Sequence, residues 1–384
     1  KLRCKMSILI APDSFKESLT AIEVAETIEK GILEVMPKME TSKFPFSDGG
    51  EGALAVLKQH IKGKMVKVHT FDPLFRPIQV SYFLFDQEPT AWIELSSAAG
   101  LALLKKRHRN PLNTSTYGVG IMIKDALEKG CKKIFLGVGG SATNDGGLGI
   151  YAALGGKILN KKGKELHPVG KNLHKIAHIK NEGWSMRLTD IDLIVAADVV
   201  NPLLGKKGAT FVYGPQKGAD PGDLALLEKG MRNWAQIISH QAGIDIGVLP
   251  GGGAAGGTGA GMAGLFQANI HSGFDILYQI THMERKLYKC SLIITGEGKI
   301  DGQSKFGKLI YQLGSIGKKR NIPVVCIAGS YDGDLKELYE NGITSVFSIV
   351  NQPMSLNTAI SNAENLLYQT TVNIMRGYQK SIKT

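Results

Sequence analysis

The sequence predicts an α/β protein with a parallel sheet, because strand-like runs lead repeatedly through glycine-rich turns into helices. Residues 7–11 form an apolar run typical of a buried strand, and a helix follows them. A second unit consists of a strand at 133–137, a glycine turn and a helical run at 148–154. A third strand, 291–295, again opens into glycines. Because ligands of such sheets bind at the carboxyl ends of the strands, the residues that follow these runs are site candidates.

The first helix has the clearest start in the chain. Thr20 and Glu23 have the spacing of a capping box, and apolar residues then recur with the helical period until Pro37. The strand before this helix presents three polar residues at its carboxyl end: Asp13, Ser14 and Lys16.

The pattern changes near Val66, where we expect a second domain to begin. Three strand-like runs separated by Pro and Gln indicate antiparallel hairpins: 66–71, 80–85 and 91–95. Apolar periodicity and caps predict the remaining elements in order. They are helix 53–61, a helix through Leu127 for which the segment 112–118 (including Thr116) offers several caps, strand 192–197, helices 224–242, 262–269 and 309–320, strand 324–329 and a closing helix 359–376.

Composition narrows the class of ligand. The 384 residues leave room for two or three domains or one large one, and 43% hydrophobic and 21% charged residues are ordinary for a globular protein. The formal charge of +12 favours anionic ligands. Nucleic-acid binding would require basic clusters interleaved with aromatic residues, whereas these lysines and arginines are scattered. A small anionic substrate is therefore the better interpretation.

Cysteine spacing and hydropathy give expectations about the cellular compartment of the protein. Cys4, Cys131, Cys290 and Cys326 lie far apart without metal-binding spacing, which predicts reduced thiols in a cytoplasmic protein. No apolar run has the length of a membrane span, and no signal-peptide pattern is present, so no membrane association is expected. The oligomeric state is left open.

Acidic residues and glycines recur together at predicted strand ends. They lie around Asp48, around Asp145 and around Glu297 and Asp301, and Asp198 is a further carboxylate at a strand end. Four lysines share or adjoin such loops: Lys16, Lys217, Lys299 and Lys308. Carboxylates that hold a metal, with lysines and glycine loops that hold phosphates, are suited to Mg-nucleotide chemistry.

Two familiar nucleotide motifs match only in part. The segment GQSKFGK at 302–308 fits the Walker pattern, but Leu309 occupies the position of the metal-binding Ser or Thr, and Asp301 precedes it. Gly137, Gly139 and Ala142 fit the relaxed Rossmann fingerprint, although NDGG interrupts the helix start and no acidic residue follows at the required distance. The sequence is therefore compatible only with an NADP-binding form of that fingerprint. The GxSxG and HExxH motifs of common hydrolases are absent.

Several of these features also have structural interpretations. The glycine-rich segment 251–261 is either a lid hinge without ligand contact or an anion-binding loop. Asp48 before two glycines is also typical of a turn, and Lys16 is equally compatible with a solvated loop lysine.

Taken together, the loops resemble the type I glycerate kinase family of bacterial glycerate 2-kinases. The resemblance runs in order from about Ile8 to Gly329, with Gly302 and Ser304 where the family commonly has Ser and Thr. The motifs that carry it are long and specific: APDSFKESLTAIEVAETIEKGI, SDGGEG, AWIELSSAAGL, NTSTYGVG, GVGGSATNDGGLGIYAALGG, AADVVNPLLGKKGAT, GPQKGAD, LPGGGAAGGTGAG and TGEGKIDGQSKFGK.

The resemblance implies ATP-dependent and Mg²⁺-dependent phosphorylation of D-glycerate, with 2-phosphoglycerate as the product. It also implies a Rossmann- or flavodoxin-like parallel-sheet domain formed by both chain ends, residues 1–65 and 287–384. A second α/β domain, residues 66–286, would be inserted between them, with the active site in the cleft. Whether the loop at 137–149 holds glycerate or nucleotide is left open.

Loop position and residue chemistry give hypotheses for the site residues. Asp198 is the candidate general base with Asp48 as its rival, Lys16 would steady the phosphoryl group or the glycerate carboxylate, and Glu297 and Asp301 would bind the metal. The predicted substrate- and phosphate-binding residues are Asp13, Ser14, Gly139, Gly140, Ser141, Asn144, Asp145, Asn201, Lys217, Thr295, Gly296, Gln303 and Lys308. Among them, Gly139, Gly140, Ser141 and Asn144 would cradle an anion, and Asp145 would orient their loop. The alternatives are an NADP-dependent oxidoreductase acting on a small hydroxy acid and a non-catalytic metabolite sensor.

Overall fold

The computed structural model describes residues 6–15, 17–46, 53–181, 191–300 and 309–382. Contacts between residues divide the chain into two compact units. The terminal unit consists of residues 1–48 and 277–384, and the central unit consists of residues 49–276. The predicted domain boundaries after residues 65 and 286 remain a prediction.

The central unit is built on a six-stranded mixed sheet in the order β10-β9-β6-β5-β4-β3. The pairs β3–β4 and β4–β5 are antiparallel, as the hairpin pattern predicted, and the other pairs are parallel. A separate antiparallel pair is formed by β7 and β8. The strands are β3 (Gly63–Phe71), β4 (Pro77–Phe85), β5 (Thr90–Glu94), β6 (Lys133–Gly137), β7 (Lys157–Asn160), β8 (Ile176–Lys180), β9 (Asp192–Ala196) and β10 (Asn269–His271).

The helices of the central unit pack on this sheet around a large apolar core, which includes Trp234 and Tyr151. They are α2 (Ala53–His60), α3 (Ser96–Ala99), α4 (Tyr117–Glu128), α5 (Leu148–Ala153), α6 (Ala209–Tyr213), α7 (Pro221–Ala242) and α8 (Ala254–Phe266), followed by α9 (Gly273–Ile280) at the point where the chain passes to the terminal unit.

The terminal unit contains a five-stranded sheet in the order β13-β12-β11-β1-β2, in which all pairs are parallel. Its strands are β1 (Ser7–Ile10), β2 (Glu40–Lys43), β11 (Cys290–Ile300), β12 (Val324–Tyr331) and β13 (Ser345–Ser348). Its helices are α1 (Ala21–Val35), α10 (Met283–Leu287), α11 (Leu309–Arg320), α12 (Lys336–Asn341), α13 (Leu356–Ser361) and α14 (Ala363–Ser381). Helix α1 begins with the predicted capping box of Thr20 and Glu23.

The predicted α/β fold is confirmed, with parallel strands from both chain ends and a mixed sheet between them. The largest difference from the sequence prediction concerns residues 251–261, where we expected an irregular glycine loop. The range of α8 contains a kink: residues 255–257 have left-handed backbone angles, and the regular helix runs from Thr258, four residues before the predicted start at Met262. Among the described residues, no helix is long and apolar enough to cross a membrane.

Candidate active site

The carboxyl ends of three parallel strands of the central unit lie in register. Glu94 of β5 pairs with Gly137 of β6, which pairs with Ala196 of β9. Gly139 and Asp198 each lie two residues beyond the last of these pairs, on strands that are neighbours in the sheet. Since adjacent strands are about 4.8 Å apart, the start of the glycine loop and the candidate base belong to one edge of the sheet.

The loop between β6 and α5 is fixed by backbone hydrogen bonds on both sides. The amide of Leu101 donates to the Gly140 carbonyl and that of Ala142 donates to the Ala99 carbonyl, both at 2.8 Å. The Thr114 hydroxyl donates to the Ala142 carbonyl at 2.9 Å. Gly140 has a φ of +67°, a backbone conformation that glycine adopts without a steric penalty. The loop is therefore a rigid element of the sheet edge.

The glycines of 251–261 let helix α8 pack directly against this loop. A Cβ at Gly256 would lie 2.0 Å from the Thr143 carbonyl oxygen, and one at Gly261 would lie 2.0 Å from that of Gly146. The Gly146 amide also donates to the Gly256 carbonyl at 3.0 Å. All residues of the segment are buried. The contacts thus assign these glycines to close packing beneath the loop, an arrangement that neither a hinge nor an anion loop would require.

Asp145 lies fully buried at the base of the loop. One carboxylate oxygen, Oδ2, accepts from the backbone amide and hydroxyl of Thr116, at 2.8 and 2.9 Å, and from the Gly149 amide at 3.1 Å. Oδ1 accepts from the Gly147 amide at 3.3 Å. Burial raises the pKa of Asp145, and the hydrogen bonds from Thr116, Gly149 and Gly147 oppose that shift. The carboxylate thereby joins the first turns of α4 and α5.

This placement also explains why the Rossmann-like spacing at 137–142 has no Rossmann geometry. In that fingerprint the glycine turn opens a helix whose free amides receive a pyrophosphate. Here α5 begins only at Leu148, after two left-handed glycines at 146 and 147. Two of the amides at its start donate to the protein's own Asp145 carboxylate. The NADP interpretation therefore loses its structural basis.

Lys217 is the most unusual side chain of the central unit, because its residue is only 2% exposed. Its ammonium donates to the Ser141 hydroxyl oxygen at 2.8 Å and to the Thr143 carbonyl at 2.7 Å. Burial lowers the pKa of Lys217 from 10.5 to about 7, and the charge of Asp145 acts in the opposite direction. The sequence placed Lys217 in the site as a phosphate-binding candidate, but its burial beneath Ser141 gave no sequence signal.

Two buried polar atoms of the same loop have no hydrogen-bond partner among the described residues. They are the hydroxyl oxygen of Thr143 and the amide oxygen of Asn144. The amide nitrogen of Asn144 donates to the Thr210 hydroxyl at 3.1 Å, which fixes the orientation of the side chain. An unsatisfied buried acceptor costs about 1–3 kcal/mol, so such atoms are concentrated where a ligand or water completes a site.

Asp198 and Asn201 follow β9 at the same sheet edge. Asp198 is half-buried, and its Oδ1 accepts from the Gly273 amide at 2.8 Å and from the Ser272 hydroxyl at 3.1 Å. Asn201 donates to the Lys207 carbonyl and accepts from the Tyr213 hydroxyl, both at 2.8 Å. Its amide group thus organises the loop after β9.

In the terminal unit, two predicted residues, Asp13 and Ser14, follow the carboxyl end of β1, and three more, at 295–297, lie within β11. This strand continues to Ile300, whereas the sequence predicted that it ends at residue 295. Asp13 is 7% exposed, and its Oδ1 accepts from the amide and hydroxyl of Ser14. The Asp13 amide donates to the Gly296 carbonyl at 2.8 Å. Thr295 is buried and donates to the Ala11 carbonyl at 2.9 Å, so its hydroxyl joins the two strands. Asp13, Ser14 and Glu297 line one cavity.

Five predicted site residues lie outside the described residues: Lys16, Asp48, Asp301, Gln303 and Lys308. The central unit also contains supporting residues that the sequence analysis did not select, namely Thr116, Thr210 and Glu94. Thr116 was interpreted only as a helix cap, although it anchors Asp145. Glu94 is a buried carboxylate at a strand end that accepts from the Leu54 amide at 3.1 Å. A charged residue that ends an apolar strand was the available signal for Glu94.

A parallel sheet edge with a rigid polar loop, a buried lysine and carboxylates is the arrangement of an α/β enzyme that binds a small anionic ligand. The family model described as the glycerate kinase family matches residues 8–379. The chain therefore belongs to the glycerate kinase family, a family of phosphotransferases.

Individual relatives cover nearly the whole chain. A glycerate kinase from Bacillus cereus (strain ATCC 10987 / NRS 248) is 40% identical over 96% of this chain and 97% of its own. Glycerate 2-kinase from Escherichia coli (strain K12) is 38% identical with the same coverage. The crystal structure of a Salmonella typhimurium LT2 protein assigned as glycerate kinase 2 has a TM-score of 0.85 and 37% identity, over 99% of this chain and 100% of that chain.

Proposed function

We propose that this protein transfers the γ-phosphoryl group of ATP to a hydroxyl of D-glycerate, with Mg²⁺, and releases 2-phosphoglycerate and ADP. The observation that carries the proposal is similarity along nearly the whole chain to proteins named glycerate kinase. The relative from Escherichia coli is named glycerate 2-kinase, which supports the 2-phosphate as product. The free thiols of Cys131, Cys290 and Cys326 are in keeping with a reducing, cytoplasmic setting.

The Ser141 loop is the element that we assign to the glycerate anion. Lys217 Nζ donates to Ser141 Oγ, so the O–H hydrogen of Ser141 is left to donate elsewhere. The amides of Gly139 and Gly140 are further donors in this loop. Donors of this kind suit a carboxylate or an oxyanion of the substrate.

Asp198 is the side chain that we assign to the acceptor hydroxyl. A carboxylate can accept the hydroxyl proton as the oxygen attacks the γ-phosphorus, while the bond from that phosphorus to the bridging oxygen of ADP breaks. The hydrogen bonds from Gly273 and Ser272 hold one carboxylate oxygen in place for this role.

Mg²⁺ fits the carboxylates at the strand ends of the terminal unit. Mg²⁺ takes oxygen ligands and is usually held by one or two carboxylates together with substrate phosphates and water. Asp13 and Glu297 line the same cavity, and the described residues contain no cluster of three or more His, Cys, Asp or Glu. These two carboxylates would hold the ion, which would neutralise phosphate charge.

A coupled ADP-release assay tests the proposal. With ATP and Mg²⁺, D-glycerate should stimulate ADP release well above the rate without acceptor. Propionate, which has a carboxylate but no hydroxyl to accept the phosphoryl group, should not stimulate it. Absence of any glycerate-dependent ADP release would refute the kinase proposal. Glycerate binding in calorimetry without turnover would then indicate a metabolite sensor, and a change of NADPH fluorescence on addition of the protein would indicate an oxidoreductase.

A further inference from the structure

The terminal unit contains a cavity of about 460 Å³ at the carboxyl ends of its parallel strands. Volumes of about 300–1,000 Å³ are typical of sites for small molecules and cofactors. All of the residues that line the cavity belong to the terminal unit. The cavity is therefore a candidate ligand site on its own, separate from the Ser141 loop of the central unit.

The cavity lies where the strand order of the sheet reverses. From β1 the chain crosses over to β2 on one side, whereas from β11 it proceeds to β12 and β13 on the other side. Asp13 follows β1 and Glu297 belongs to β11, so both carboxylates lie at this reversal. In open parallel sheets, crevices at such a point are the preferred positions for nucleotides and similar ligands.

The two sides of the cavity differ in polarity. The polar and charged groups come from Asp13, Ser14 and Glu17, which follow β1, from Glu297 and Lys299 of β11, and from Ser330 of β12. The opposite wall is aliphatic and comes from the segment between β13 and α14: Ile349, Val350, Leu356, Ala359, Ile360 and Ala363.

Leu356 leaves most of its aliphatic surface available at this wall. Its residue is 73% exposed, although it stands among aliphatic neighbours at the cavity. Contact with an apolar ligand would remove this surface from water, which is favourable. Glycerate has three carbons and carries polar groups on each of them, so it cannot use an aliphatic wall. A purine base has two flat apolar faces and can pack against such a wall.

We propose that this cavity binds the nucleotide of the kinase reaction, with the adenine base against Leu356, Ala359 and Ile360 and the phosphates toward Asp13, Glu297 and Lys299. The inference rests on the proposed function for the identity of the nucleotide. It divides the two substrates between the two units, with nucleotide in the terminal unit and glycerate at the Ser141 loop.

Two substitutions in the apolar wall test this assignment in the full-length protein. Leu356→Gln removes an exposed apolar contact, and Ala359→Phe fills space beside it; Leu33→Gln, at an exposed leucine of α1 that does not line the cavity, is the matched control. Titration with mant-ADP in the presence of Mg²⁺ gives the Kd, and steady-state kinetics give KM for each substrate. We expect the Kd for mant-ADP and the KM for ATP to rise about tenfold or more in both wall variants.

The KM for D-glycerate should remain within about twofold of the wild-type value in all three variants. Unchanged mant-ADP affinity in a folded Leu356→Gln protein would overturn the assignment, and so would a selective rise in the KM for glycerate. If Ala359→Phe does not fold, the result for Leu356→Gln alone tests the assignment, because Leu356 is exposed and its replacement leaves the core intact. Since mant-ADP binding is measured without turnover, the nucleotide site is tested even if the wild-type protein does not phosphorylate glycerate.

Discussion

Replacing Lys217 by Met tests whether the buried lysine has the low pKa that its environment imposes. The substitution keeps an unbranched side chain and removes the ammonium that donates to Ser141 and Thr143. In the folded protein the pKa of Lys217 is lowered from 10.5 to about 7. That difference of about 3.5 pH units corresponds to about 5 kcal/mol, at about 1.4 kcal/mol for each unit.

The sign of the pH dependence follows from proton counting. Between the folded pKa near 7 and the ordinary value of 10.5, the unfolded chain keeps its proton on Lys217 whereas the folded chain loses it. Because the unfolded state binds more protons in this window, the contribution of Lys217 makes the free energy of unfolding rise with pH. The rise approaches about 1.4 kcal/mol per pH unit, and Lys217→Met abolishes it.

Urea unfolding of both proteins at several pH values measures this effect, with tryptophan fluorescence as the signal. The described tryptophans, Trp92 and Trp234, are both buried in the central unit, and Trp234 donates to the Gly146 carbonyl of the loop itself. From about pH 7 to about pH 9, the free energy of unfolding of the wild type relative to that of Lys217→Met should increase by about 2 kcal/mol. A stability difference that does not change with pH would refute the burial argument.

Lys206→Met is the control, because Lys206 is exposed in the same unit and its ammonium stays hydrated. The difference in the free energy of unfolding between Lys206→Met and the wild type should not change with pH in this range. Lys217→Met should also lower kcat/KM for glycerate by about 10- to 100-fold, since Ser141 loses the donor that orients it. Wild-type kinetics in a folded variant would show that Lys217 has no positioning role.

Three further substitutions probe the same sheet edge. Asp198→Asn should fold normally and lose about 10²-fold or more in kcat, with Asp192→Asn at the exposed start of β9 as control; near-normal kcat would exclude Asp198 as the base. Gly256→Ala should lower the free energy of unfolding by at least about 2 kcal/mol more than Gly163→Ala does. Both glycines have a positive φ, but only a Cβ at Gly256 would clash with neighbouring atoms, so equal losses of stability would refute the packing argument. Asp145→Asn replaces an acceptor of four hydrogen bonds and should cost about 2–4 kcal/mol in urea unfolding; a neutral effect would contradict its role in anchoring α4 and α5.

The elements that the sequence predicted best have local signals. Thr20 and Glu23 defined the start of α1 because a capping box is a short-range interaction. The strand-like runs of β3 and β4, separated by a short segment with Pro and Gln, predicted their antiparallel pairing for the same reason. For α7 the sequence missed three residues at the start, where Asp220 caps the helix and Pro221 occupies its first position.

The features that sequence analysis missed depend on contacts between distant parts of the chain. Gly256 and Gly257 interrupt α8 with left-handed backbone angles. The absence of a Cβ at Gly256 and Gly261 allows the close approach to Thr143 and Gly146, which has no signal in the local sequence. Lys217 lies among glycines in the sequence and would ordinarily be solvated. Only the fold reveals that it lies beneath Ser141, more than 70 positions away in the chain.

The sequence predicted which loops form the candidate site better than it predicted the role of each residue in them. Position after a strand was sufficient to select Asp13 in the terminal unit and Ser141 and Asp198 in the central unit, because residues that follow a strand of a parallel sheet lie at the carboxyl edge of that sheet. The sequence also predicted that Asp145 orients its loop, but not that Thr116 is its main partner. It also could not assign the aliphatic residues around Leu356, which have no charged or glycine-rich motif, to a ligand site.

Phosphorus NMR of the complete reaction tests the central claim most directly. After incubation of the wild-type protein with ATP, Mg²⁺ and D-glycerate, the spectrum should gain a phosphomonoester resonance as the γ-phosphate resonance of ATP declines. In 2-phosphoglycerate the phosphate is bonded to a carbon that carries one hydrogen, so the proton-coupled resonance should be a doublet. A triplet would show phosphorylation at the primary hydroxyl, and the absence of any new glycerate-dependent resonance would contradict the assignment of this protein as a kinase of glycerate.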